Sequence, residues 1–173
     1  MNYTMKSHLT FARIVFRLVI LVGFSSFSLV PSAHAALFVR DSRTSVTGPC
    51  LDVRLAADVS GTPIQVFTCN ATVAQNWLFE GLQIIGIGSS STTGSNCIWT
   101  DGFPAVGTTI VLAPCNAPPA EFSSNEWYYS NNQIIHFNGG VGPLLCLDGS
   151  GPLGTQATLR TCNAKPGQTW AIR

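Results

Sequence analysis

Cys69-Asn70-Ala71, Cys115-Asn116-Ala117 and Cys162-Asn163-Ala164 are one tripeptide met three times, with the cysteines 46 and 47 residues apart. Upstream of each lies a second cysteine: Cys50, Cys97 and Cys146, spaced 47 and 49. Downstream of each stands a tryptophan: Trp77, Trp127 and Trp170. Between the paired cysteines every copy carries Gly-Thr and a short β-rich run: Gly61-Thr62-Pro63-Ile64-Gln65-Val66-Phe67, Gly107-Thr108-Thr109-Ile110-Val111-Leu112 and Gly154-Thr155-Gln156-Ala157-Thr158-Leu159. Self-similarity at a fixed period marks an architecture in which no single unit buries its apolar face alone. Equivalent units bond equivalently. Of the many pairings open to six cysteines, the repeat therefore selects Cys50–Cys69, Cys97–Cys115 and Cys146–Cys162.

In the first copy, Cys50 to Val53, Ile64 to Thr68, Trp77 to Phe79 and Leu82 to Ile87 are apolar or β-branched runs parted by Gly, Ser, Asn and Pro. No clean helical period occurs outside the N-terminal segment. Four strands per unit predict an all-β fold of about twelve strands at ordinary strand lengths. Propellers usually have at least about four blades, so three units predict closure into one pseudo-threefold barrel.

The N-terminal segment reads as an address. Lys6, Arg13 and Arg17 precede the uncharged, mostly apolar run Leu18 to Val30, and Ala33-His34-Ala35 follows as an A-x-A cleavage signal. A membrane span needs about 20 apolar residues, more than this run supplies. We expect a signal peptide over 1–35, a lead-in over 36–48 and the repeat domain over 49–173, with units at approximately 49–95, 96–144 and 145–173. The expected destination is secreted, extracellular. An even cysteine count behind a signal peptide fits a disulfide framework.

Residues 36–173 hold six basic and eight acidic side chains, a net charge of −2. Such a chain lacks the cationic surface on which nucleic-acid affinity depends, and it offers no basic amphipathic helix for membrane insertion. With no C-x-x-C pair and His136 as the only histidine after Ala35, zinc is set aside. No metal and no cofactor are expected.

Cys50-Leu51-Asp52-Val53, then Ile64-Gln65-Val66-Phe67-Thr68-Cys69-Asn70, then Gln75-Asn76-Trp77, resembles the first unit of a ricin-type lectin domain, which also occurs as a carbohydrate-binding module beside glycoside hydrolases. Gln168-Thr169-Trp170 repeats the Q-x-W signature, and Asn125-Glu126-Trp127 is a degenerate copy. The resemblance runs from about Pro49 to the C-terminus and implies a β-trefoil. The tryptophans are expected in the core, and the Q-x-W glutamines are expected to hold backbone groups.

The resemblance also implies a site. In the family the carboxylate stands two residues after the first cysteine. The aromatic stands two before the second, with a polar partner two earlier, and an Asn-Gln pair precedes the last Trp. A carboxylate accepts from adjacent sugar hydroxyls in charge-assisted bonds, an amide both donates and accepts, and an aromatic face covers the apolar face of the ring. The first unit supplies Asp52, Gln65, Phe67 and Gln75 as carbohydrate-binding residues, but has Ala74 where the family's Asn would stand. The second unit has Trp99, Val111, Ala113 and Asn125 at these positions, so no such site is expected there. The third keeps Asp148 and Gln168, with Thr158, Arg160 and Gly167 at the others. Asp148, Arg160 and Gln168 make a weaker second candidate, since a guanidinium stacks and donates without being a ring.

The expected partner is a glycan, on a polysaccharide or glycoprotein, of galactose type or related. The contrasting reading is a secreted protein-binding trefoil, a protease inhibitor or toxin-delivery subunit, using Ser89 to Ser95 or Pro118 to Ser124 as interaction loops. An enzyme is not expected: no carboxylate pair recurs, and His136 lacks a G-x-S-x-G partner. Asn70-Ala71-Thr72 is a glycosylation sequon whose occupancy would crowd the first site.

Overall fold

The computed structural model describes residues 38–40, 48–86, 95–117 and 124–173. All of them fall within one compact unit, Ala33–Arg173. The expected signal peptide, and nearly all of the two divergent loops, lie outside the described residues.

Among the described residues twelve strands run in chain order: β1 (Phe38–Arg40), β2 (Cys50–Val53), β3 (Thr62–Phe67), β4 (Trp77–Glu80), β5 (Gln83–Gly86), β6 (Asn96–Thr100), β7 (Ile110–Pro114), β8 (Trp127–Ser130), β9 (Gln133–His136), β10 (Leu145–Asp148), β11 (Thr158–Thr161) and β12 (Trp170–Ile172). Every pairing is antiparallel, and the strands form an eight-stranded and a four-stranded sheet. The first unit contributes β2 to β5 and the second β6 to β9. The third contributes only β10 to β12 from its own stretch. Its fourth strand is β1: Arg40 pairs with Trp170 as Gly86 pairs with Trp77 and His136 with Trp127, and Val39 then pairs with Cys50. The lead-in thus completes the third unit.

The three disulfides are those the repeat selects, Cys50–Cys69, Cys97–Cys115 and Cys146–Cys162. Each closes a loop of 16 to 19 residues, worth about 3 kcal/mol on a chain-entropy account. The repeated Gly-Thr also has a purpose. Gly61 N donates to Leu112 O (2.8 Å), Gly107 N to Leu159 O (2.8 Å) and Gly154 N to Val66 O (2.7 Å). Each unit thereby donates to the next around a ring. All three glycines have positive φ (86°, 96° and 86°), a conformation that suits glycine.

The core repeats in register. Leu51, Ile98 and Leu147 follow the first cysteines, Val66, Leu112 and Leu159 precede the second, and all six are buried with Trp77, Trp127 and Trp170. Burying the indoles requires partners for their N–H groups. Trp77 Nε1 donates to Leu51 O (3.1 Å), Trp127 Nε1 to Ile98 O (2.9 Å) and Trp170 Nε1 to Leu147 O (3.1 Å). One bond repeated in all three units ties each tryptophan to the strand holding its cysteine.

Candidate functional site

Asp52 on β2 and Gln65 on β3 are register partners, which brings them side by side. Gln65 Nε2 donates to Asp52 Oδ1 at 2.9 Å, and Gln75 Nε2 donates to Oδ2 at 3.1 Å. Asp52 is only 5 % exposed, and its carboxylate is oriented by two amides. A carboxylate accepts about four hydrogen bonds, so capacity remains on the side facing outward. Arg54 Nε donates to Gln65 Oε1 (3.0 Å) and its Nη2 to Gly154 O (3.1 Å). That fixes the Gln65 amide so that its N–H faces Asp52.

Phe67, at the end of β3, is 39 % exposed and so stays outside the core. Together with Asp52, Gln65, Asn70, Thr72 and Leu55 it lines an open depression of about 240 Å³. Ala74 lines it too, where the expected Asn is missing.

Gln75, expected to present its amide to a ligand, has none of its surface exposed. Besides Asp52, its Nε2 donates to Thr68 O (2.8 Å), and its Oε1 accepts from Asn70 N (2.9 Å). Both amide hydrogens are spent inside the protein, so Gln75 orients Asp52 and clasps the Cys-Asn-Ala turn without reaching the surface. Gln168 repeats this in the third unit: its Nε2 donates to Asp148 Oδ2 (3.1 Å) and Thr161 O (3.1 Å), and its Oε1 accepts from Asn163 N (2.9 Å). It too is fully buried, which removes it from any contact surface. Asn125, one methylene shorter, reaches only Cys115 O (3.2 Å) among the described residues.

The third unit has its own depression, lined by Asp148, Ser150, Thr158, Arg160, Asn163 and Lys165 among others, with a volume of about 530 Å³. Asp148 Oδ1 accepts from Ser150 N (2.7 Å), so this carboxylate also caps a turn. In the second unit Trp99 fills the carboxylate position, buried against the Cys97–Cys115 bridge and Val111.

Two further features are absent from the sequence expectations. Leu55 lies beside Asp52 with φ 57° and is 91 % exposed. Gly102 and Gly151 take its place in the other units, with φ 97° and 116°, which is the residue that conformation favours. Lys165 sits where the first unit has Thr72; the repeat carries the signal, three residues after the second cysteine. His136 stands at the position of Gly86, its ring edge-on to Trp127 at 5.4 Å. Burial pushes its pKa down to about 4, and among the described residues neither ring nitrogen has a partner. No group of three or more metal-ligating side chains occurs among the described residues, and no helix there is long and apolar enough to cross a membrane.

No family model matches the chain, and no curated protein matches its sequence. Solved structures do match. The C-half of an earthworm R-type lectin, in complex with GalNAc, superposes with TM-score 0.59 at 15 % identity, covering 80 % of this chain and 97 % of its own. The β-trefoil lectin of the Vibrio vulnificus hemolysin/cytolysin, with N-acetyl-D-lactosamine bound, gives 0.58 at 19 %, covering 82 % and 95 %. The Macrolepiota procera ricin B-like lectin, in complex with lactose, gives 0.54 at 20 %, covering 82 % and 96 %. The ring of glycine bonds, the threefold tryptophans and these superpositions together establish that this chain has a β-trefoil fold, the one these ricin-type lectins share.

Proposed function

We propose that this is a secreted carbohydrate-binding protein, a lectin, that takes galactose-type or related glycans in the depression of its first unit. The observation that carries the reading is the Asp52 carboxylate. It is held by Gln65 at 2.9 Å and Gln75 at 3.1 Å and lies in the same depression as the half-exposed ring of Phe67. In this reading Asp52 accepts from two neighbouring hydroxyls, Phe67 covers the apolar face of the ring, and Gln65 touches the ligand while orienting the carboxylate. Gln75 acts only by positioning. The sugars named for the three structural neighbours, GalNAc, N-acetyl-lactosamine and lactose, are of the proposed class and support it.

The missing Asn at position 74 removes one amide contact, worth about 1 kcal/mol. A shallow site of this kind binds a monosaccharide in the millimolar range, about −4 kcal/mol, and useful strength comes from several sites or copies. Secretion is read from the segment over residues 1–35, with cleavage after Ala35; the domain over 49–173 takes in the lead-in strand Phe38–Arg40 as well, because that strand completes its third unit. A glycan array probed with the oxidised protein tests the assignment. Binding to terminal galactosides is expected, and an array on which no galactoside stands above background removes the reading.

A further inference from the structure

The depressions of the first and third units are one site written twice. Counted from the cysteines, Asp148 corresponds to Asp52, Asn163 to Asn70, Arg160 to Phe67 and Lys165 to Thr72, and all eight residues line their respective depressions. Two positions that are neutral in the first unit are cationic in the third. The chain is sparing with positive charge: residues 36–173 carry only six lysines and arginines against eight acids, and two of the six face this one groove. Arg160 is exposed at the end of β11, and Lys165 is exposed on the following turn. Among the described residues no hydrogen bond or ion pair occupies either the guanidinium or the ammonium group. Arg54, by contrast, is consumed by Gln65 and Gly154.

The groove differs from its twin in size as well. Thr158 replaces Gln65 and Gly151 replaces Leu55, and the volume is about 530 Å³ against about 240 Å³. A Cβ on Gly167 would lie 1.9 Å from Ser150 Oγ, so a larger residue there would have to push the serine hydroxyl aside. The site is therefore wide, with a hydroxyl-accepting carboxylate, Asp148, anchored by Gln168 (3.1 Å) and Ser150 N (2.7 Å). Two unpaired cations share the groove with it. A neutral sugar would leave both cations idle. A fork of guanidinium N–H groups matches a carboxylate or sulfate bidentately.

We infer that the third-unit groove is an acidic-saccharide site: Arg160 and Lys165 bind the carboxylate or sulfate of the ligand while Asp148 accepts from its hydroxyls. This rests on the lectin reading only in taking the groove as a saccharide site; it needs no binding in the first unit. The protein then carries two selectivities on one scaffold, neutral in the first unit and anionic in the third.

The test is titration of the oxidised protein with a neutral galactoside, its sulfated form, its sialylated form and inorganic sulfate. Two variants are compared with the parent, Arg160→Gln/Lys165→Gln and Asp52→Asn/Phe67→Ala. The first pair is exposed and unpaired, so its fold should be retained, as near-ultraviolet circular dichroism of the tryptophans will report. Losing charge-assisted bonds should weaken the acidic ligands at least about tenfold and leave the neutral galactoside unchanged; the second pair should do the reverse. The stronger of the sulfated and sialylated arms identifies the anion. Acidic ligands bound equally by parent and Arg160→Gln/Lys165→Gln would overturn the inference. So would inorganic sulfate competing as well as the sulfated sugar, because that is ion attraction without saccharide recognition. Acidic ligands bound with no neutral binding would sink the first-unit reading alone, and no binding of either kind would sink both.

Discussion

Replacing Gln75 by leucine separates a brace from a contact residue. The substitution keeps the approximate volume but removes three hydrogen bonds: to Asp52 Oδ2 at 3.1 Å, to Thr68 O at 2.8 Å and from Asn70 N at 2.9 Å. The first is buried and leaves a carboxylate short of a donor; the other two are partly buried and recover water at one end. A buried polar group left unsatisfied costs about 1–3 kcal/mol and an ordinary bond about 0.5–1.5 kcal/mol, so the loss should be about 3 kcal/mol. Guanidinium unfolding at neutral pH, disulfides intact, reads it as a lower midpoint at unchanged slope. Gln168→Leu should cost a similar amount, because its three equivalent bonds have nearly the same lengths. Asn125→Ala, which gives up a single 3.2 Å bond to Cys115 O, should cost about 1 kcal/mol. The two glutamines sit in different units, so their losses should add. A Gln75→Leu loss below about 1 kcal/mol, with glycan binding abolished, would return Gln75 to the role of a contact.

Three other outcomes are expected. His136 titrates near 6.5 when unfolded and about 4 when folded, so between those values the unfolded chain holds more protons. Stability should fall as pH drops from 6.5 to 4, by up to about 3 kcal/mol, and His136→Phe should flatten that slope in urea titrations. Leu55→Gly should raise the unfolding midpoint: the left-handed conformation costs a non-glycine residue roughly 1–2 kcal/mol, more than the roughly 0.4–1 kcal/mol by which glycine loosens the unfolded chain. Gly149→Ala should destabilise by about 1–3 kcal/mol in thermal unfolding, since the new Cβ would lie 2.5 Å from Val66 Cγ1 and 2.9 Å from Trp170 Cη2.

What the sequence announces is what three units must share. Disulfides, tryptophans and Gly-Thr turns recur because each is needed once per unit, and recurrence is visible without coordinates. The fourth strand of the third unit is not visible: Phe38–Arg40 is three residues long, too short for a periodicity, and its partners Trp170–Ile172 lie at the other end of the chain. Asp52, Gln65 and Phe67 are legible because the family resemblance marks their places relative to the cysteines, and the β2–β3 register sets Asp52 beside Gln65. Gln75 reads as a contact and is a brace, because burial depth leaves no trace in a Q-x-W motif. Leu55 leaves no signal, since an exposed leucine at positive φ is a property of the backbone. Lys165 escapes for a different reason: it lies three residues beyond the second cysteine, outside the positions that the family resemblance marks.

A first-unit sugar site is decided by titrating lactose into the parent protein, Asp52→Asn and Phe67→Ala, followed by isothermal calorimetry or by chemical-shift changes. Millimolar binding by the parent is expected, weakened at least about tenfold in each variant as a charge-assisted acceptor or the stacking face is lost. Phe67→Ala should unfold within about 1 kcal/mol of the parent, since Phe67 lies outside the core; Asp52→Asn should stay folded but lose about 1–3 kcal/mol, because its one amide oxygen can accept from only one of Gln65 and Gln75 and leaves the other buried donor unpaired. Lactose bound equally by the parent and both variants would contradict the first-unit site.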